Sequence, residues 1–155
     1  MAIGELKIRG GNSNLPPGLR DAVLFIGRAL MAYIFIVEGY GKIVDYSGVA
    51  GYMTDHGVTS LLLPLVILTE LGGGLMILSG LTTPWAAIAL SGFAVLTAVI
   101  FHRDSADAEQ VINFQKNLAI AGGFLVLAAL GPGAWSLDGW RARAKTRRAA
   151  SLQAN

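Results

Sequence analysis

Apolar residues fall into four runs, at 22–43, 61–81, 84–101 and 115–135, each about as long as a bilayer's hydrocarbon core is thick. A helix rises about 1.5 Å per residue and needs roughly 20 apolar residues to cross that core, so the pattern predicts four transmembrane helices. Between the first two runs, Tyr46, Val49, Tyr52 and Met53 recur at helical spacing within 45–56, which predicts a short interfacial helix stopped by Gly57. Runs two and three are separated by Ser79-Gly80-Leu81-Thr82-Thr83-Pro84, too few residues for anything but an antiparallel hairpin, and Pro84 suits a first helical turn. The expected fold is all-α: an integral membrane four-helix up-down-up-down bundle over 21–140, preceded by a polar leader, 1–20, and followed by a basic tail, 141–155.

Composition agrees, with 54% of residues hydrophobic and 14% charged, where a soluble domain averages about a quarter charged. Residues 1–20 carry Gly10 to Asn14 and Pro16-Pro17-Gly18 without an apolar centre, so the first span is expected to serve as its own insertion signal. Lys7, Arg9 and Arg20 precede that span, and Arg141, Arg143, Lys145, Arg147 and Arg148 follow the last one. The positive-inside bias then predicts that both termini are cytoplasmic. The basic tail lacks the interleaved aromatics of a base-stacking surface, so anionic lipid rather than nucleic acid is its expected contact, at about 1 kcal/mol per charge. With zero cysteines the chain has no disulfide, no thiolate ligand for an iron–sulfur cluster and no cysteine nucleophile.

The chemistry is expected where charges enter the spans. A charged side chain at mid-membrane costs about 2.5–3.5 kcal/mol on insertion scales, so such groups face one another or a hydrated cavity. On a helical wheel with Glu38 at zero, Lys42 falls near 40° and Arg28 near 80°, on a stripe shared with Leu24, Met31 and Phe35. In the predicted topology Glu38, Lys42, His102 and Lys116 lie in the outer part of the bundle, and Glu70 lies roughly 13 Å below its outer edge at 1.5 Å per residue. Two carboxylates and two ammonium groups then balance, with His102 above them. Arg28 stands alone in the opposite half, within reach of Asp138 or of carbonyls at helix ends, and Trp135 and Trp140 bracket Asp138 at the interface. Gly73, Gly74 and Ile77 share the face of Glu70, while Asn113, Ile120 and Gly123 lie near Lys116, so small and polar residues mark the same helix contacts. Gly72-Gly73-Gly74 reads as helix packing, since no strand precedes it and no Lys-Ser/Thr follows. His56 and His102 form no metal-ligand spacing with other residues, and no metal site is assigned.

These residues carry a family resemblance. Gly27-Arg28, Glu38-Gly39, Gly41-Lys42, Glu70-Leu71-Gly72-Gly73, His102, Lys116-Asn117 and Ser136-Leu137-Asp138 together resemble the DoxX family of small bacterial four-helix membrane proteins over about residues 20–140. The resemblance implies an inner (cytoplasmic) membrane location and association with a quinone-linked oxidoreductase, as a homo-oligomer or with partner redox subunits. In that reading Glu38, Lys42, Glu70, His102 and Lys116 bind a quinone or other small-molecule head group, with Arg28, Asn113, Asn117 and Asp138 as structural polar residues. The alternative is a non-enzymatic scaffold or assembly subunit whose buried charges only hold the bundle together. A solute or proton pathway ranks last, because only Arg28 continues the polar positions inward.

Overall fold

The computed structural model describes residues 15–104 and 106–153. Most of the predicted leader, including Lys7 and Arg9, lies outside the described residues, as do Ser105 and the last two positions. Among the described residues the chain is helical, with α1 at Pro17–Val44, α2 at Tyr46–Asp55, α3 at Leu63–Ile67, α4 at Gly73–Ser79, α5 at Thr83–Phe101, α6 at Ala108–Leu130 and α7 at Leu137–Gln153. A 3₁₀ turn at Ser60–Leu62 and a π turn at Leu68–Gly72 join α3 and α4 into one continuous rod, Ser60–Ser79. Four of these elements are long and apolar enough to cross a membrane: Pro17–Val44, Ser60–Ser79, Thr83–Phe101 and Ala108–Leu130.

Local chemistry sets the ends of these helices. Pro16 and Pro17 open α1, where a missing N–H costs nothing. Asp45 closes α1 and opens α2, its Oδ1 accepting from the Gly48 N–H at 3.2 Å. Gly80 ends span two in the left-handed region (φ 69°), a conformation that a side chain would strain. Asp107 caps α6 through the Glu109 N–H at 2.8 Å, so the fourth helix starts well before the apolar run predicted at 115–135 and stops at Leu130, leaving Trp135 outside it. Hydropathy undercounts that first turn because Glu109, Gln110, Asn113 and Gln115 are polar yet helical. The basic tail is helical as well, forming most of α7.

Paired contacts establish the antiparallel order. Lys42 meets Glu70 while Arg28 meets Ile77 and Leu78, so α1 and span two run oppositely. The Ser91 hydroxyl donates to the Ala121 carbonyl at 3.0 Å, and His102 lies against Gln110, so α5 and α6 also run oppositely. The bundle centre is an aromatic cluster in which Phe35 sits edge-on to Phe93 at 6.4 Å and to Phe124 at 5.3 Å. Around it pack Ala32, Ile77, Leu90 and a stripe of small residues on α5, Ala87, Ser91, Ala94 and Ala98. Small side chains let helices approach closely where lipid supplies no hydrophobic drive. Leu30, Tyr33, Leu68 and Trp85 point outward and are well exposed, the surface expected of a protein solvated by acyl chains.

One expectation about packing is corrected. Of the expected stripe, Arg28 and Phe35 are buried, together with Ala32 and Gly39, but Glu38 is not. Glu38 precedes the seam residue Gly39 and is turned about 100° from it, leaving its side chain 61% exposed. Close approach through Ala32 and Gly39, rather than polarity, decides which side of α1 meets its neighbours.

Candidate functional site

Glu70 owes its position to two backbone features. It lies within the π turn Leu68–Gly72, which inserts one residue into the helical repeat and re-aims the side chains around it; such turns recur at functional sites. Across the contact Gly39 brings α1 onto this turn: a Cβ there would stand 2.7 Å from the Leu71 nitrogen, inside any tolerated separation. The two helices therefore touch backbone to backbone one residue beyond Glu38 and one beyond Glu70.

The result is an ion pair between spans. Lys42 Nζ lies 2.8 Å from Glu70 Oε2, with the two side chains 19% and 8% exposed. Oε2 is buried, and the Lys42 ammonium is the cation that compensates it. Lys42 also donates to Glu38 Oε2 at 3.4 Å, one helical turn back on α1. One ammonium thus bridges two carboxylates, a buried one and an exposed one.

These groups face a cavity of about 810 Å³ at the end of the bundle that α2 covers. All five sequence-predicted site residues, Glu38, Lys42, Glu70, His102 and Lys116, line it, and so do Asn113 and Asn117. Lys116 is exposed and, among the described residues, makes no ion pair with either carboxylate. Asn117 Nδ2 donates to the Asn113 carbonyl at 3.0 Å. His102 ends α5 with its Nδ1 2.7 Å from Gln110 Oε1. Phe35, Phe93, Leu96 and Ile120 supply apolar wall, and Tyr52 and Met53 of α2 form part of the cover. Tyr52 stacks on Phe101 at 5.6 Å, fixing α2 against the end of α5.

Sequence reasoning had not anticipated the π turn, Gln110, or the aromatic wall. Gln110 carried a weak signal, a polar residue in the first turn of a span facing the histidine that closes the preceding one. The π turn carried none, since a shift of backbone hydrogen bonds leaves no mark on side-chain periodicity.

Arg28 and Asp138 lie apart from the cavity, at the other end of the bundle. Arg28 is 1% exposed, and Nη1 donates to the carbonyls of Ile77 at 3.0 Å and Leu78 at 3.1 Å. Nη2 donates to the Trp135 carbonyl. The carbonyls left unpaired at a helix end accept a cation well. Asp138 does not bond Arg28 but caps α5, Oδ1 accepting from the Thr82 N–H at 3.0 Å and Oδ2 from the Thr83 N–H at 2.9 Å.

Comparison with known proteins matches residues 23–103 to the DoxX family model, more than half of the chain. The chain belongs to the DoxX family. The match spans Arg28, Glu38, Lys42, Glu70 and His102 and stops before α6, which carries Lys116. Among relatives of this DoxX protein, "Inner membrane protein YqjF" of Escherichia coli K12 is 48% identical over 120 residues, covering 77% of this chain and 92% of the relative. "Inner membrane protein YphA" of the same organism is 36% identical over 126 residues, covering 77% and 90%. No solved structure matches. Four membrane-length helices and inner-membrane relatives together make this DoxX protein a multi-pass protein of the bacterial inner membrane.

Proposed function

We infer that this DoxX protein binds the head group of a lipid-soluble quinone in the cavity beside Glu70, as a membrane subunit working with a quinone-linked oxidoreductase. The observation that carries the reading is the Glu70–Lys42 ion pair facing a cavity of about 810 Å³, held within a membrane bundle. Pockets that enclose small ligands run to about 300–1,000 Å³, with mostly apolar walls and a few convergent polar groups. The residues fit a quinone on that measure. Phe35, Phe93, Leu96 and Ile120 offer apolar and aromatic surface to the ring, while Glu70 and Lys116 offer polar groups to its oxygens.

A bound quinone supplies two-electron redox capacity that no side chain of this protein has. The protein's own part is to orient the ring, to exclude bulk water from its apolar side, and to hold a proton at Glu70 or His102. With no cysteine in the chain, the electrons of this reading pass to a partner subunit. Both termini are assigned to the cytoplasm by the positive-inside bias, which sets the cavity on the periplasmic side.

Titration of the purified protein with a short-chain quinone analogue tests the reading. Saturable binding that falls on Glu70→Gln and on Lys116→Met is expected. Saturable binding with the same affinity in both variants would remove the site.

A further inference from the structure

Span two and α5 meet tightly at one level, where a Cβ at Gly73 would lie 2.9 Å from Leu90 Cδ2. α5 packs chiefly on the α4 half of span two. Further out, Val66 and Leu62 on span two and Leu96 and Ile100 on α5 line the cavity from its two sides. Outward of Glu70, neither 60–69 nor 93–101 holds a charged residue. The seam between α1 and α6 is different, for Glu38, Lys42 and Lys116 stand along it. Over the outer end lies α2, its Tyr52 stacked on Phe101. Hydrocarbon leaving the cavity between α1 and α6 must pass three charged groups and strip water from them, whereas between span two and α5 it meets apolar side chains and then the acyl chains around the bundle.

We propose that the outer seam between span two and α5 is a lateral portal, by which a ligand with a long isoprenoid tail enters from the bilayer and through which the tail leaves while the head group sits beside Glu70. This inference rests on the quinone reading above and narrows the ligand to a tailed one. Packed helix axes stand about 8–10 Å apart, so a tail of many isoprene units outruns the width of the bundle and needs an outlet. Leucine side chains and acyl chains solvate hydrocarbon about equally well. The seam therefore supplies room for the tail rather than attraction to it. A long tail should leave the affinity of the wild-type protein nearly unchanged, and filling the seam should exclude the tailed ligand while sparing its tail-less counterpart.

The test is titration of the full chain in lipid nanodiscs with a benzoquinone bearing a long isoprenoid tail and with the same head group bearing a methyl in its place, both expressed per lipid. The wild-type protein should bind the two within about threefold of each other. Val66→Trp and Ile100→Trp should weaken the tailed ligand by about tenfold or more and the tail-less one by less than about threefold. Leu68→Trp, facing lipid on the same span, should change neither. A wild-type preference of about tenfold or more for the tail-less ligand marks a closed cavity and overturns the portal, and so does equal weakening of both ligands by the tryptophans. Either result leaves the quinone site standing. Failure of both ligands to bind overturns the portal together with the reading beneath it. A diazirine on the first isoprene unit decides the matter in the wild-type protein even if the variants do not fold: label is expected on peptides carrying Val66 or Ile100, and label on α1 or α6 instead overturns the portal.

Discussion

Gly39 of α1 lies against the backbone of Leu71, so close that a β-carbon at position 39 would approach the Leu71 nitrogen to 2.7 Å. This contact brings Lys42, one turn further along α1, within ion-pair distance of Glu70 in the π turn. Gly39→Ala must therefore push the two backbones apart. An overpacked contact costs about 1–3 kcal/mol, and quinone-analogue affinity should fall along with stability, because the Lys42–Glu70 separation grows. Gly27→Ala is the control, as nothing lies within 4 Å of a Cβ there. Thermal unfolding in detergent and ligand titration of both variants check the expectation; equal behaviour would show that α1 has room to move.

The two carboxylates around Lys42 should respond unequally. Removing one partner of a buried pair leaves the other charge uncompensated and costs about 3–5 kcal/mol, so Glu70→Ala should strongly reduce the yield of folded protein. Glu38 is 61% exposed and shares the same lysine, and exposed pairs are worth about 0–1 kcal/mol. Glu38→Ala should accumulate nearly as the parent does. Chemical denaturation of the two variants in the same micelle measures the difference.

At the opposite end, Arg28 gathers carbonyls from Ile77, Leu78 and Trp135, tying α1 to span two and to the segment before α7. Each buried acceptor left unsatisfied costs about 1–3 kcal/mol, so Arg28→Met should be among the most destabilising single changes, with Arg28→Lys intermediate. Asp138→Ala removes only the cap on Thr82 and Thr83, a loss of about 1 kcal/mol. The predicted order, read from detergent melting temperatures, is Arg28→Met below Asp138→Ala below wild type.

Much of this architecture is legible before any coordinates. The four spans follow from hydropathy because lipid makes apolar length obligatory, and of the two partners open to Arg28 in its half, Asp138 or helix-end carbonyls, the carbonyls take it. Glu38 was misplaced at the buried seam because a wheel weighted by polarity cannot register what Gly39 and Ala32 do, which is to let backbones touch. The fourth helix was drawn late because its first turn is polar, although Asp107 caps it and helix formation needs no apolar residue there. Glu70 stood out in the sequence as an acid within an apolar run, but the turn that aims it is a property of backbone hydrogen bonding, to which residue periodicity is blind.

The orientation assigned from the basic flanks has its own test. Reporter fusions after Gln153 should be active as cytoplasmic markers, and fusions in the loop between α5 and α6 as periplasmic ones. The reverse pattern would place the cavity toward the cytoplasm.

The most direct measurement is photoaffinity labelling of the membrane-embedded protein with an azido-quinone, followed by peptide mapping. Label is predicted on the cavity walls, on peptides carrying Phe93, Leu96 or Ile120, competed by unlabelled analogue and lost in Glu70→Gln. Label confined to outward-facing residues such as Leu30 or Trp85, insensitive to competitor and to the substitution, would contradict the account.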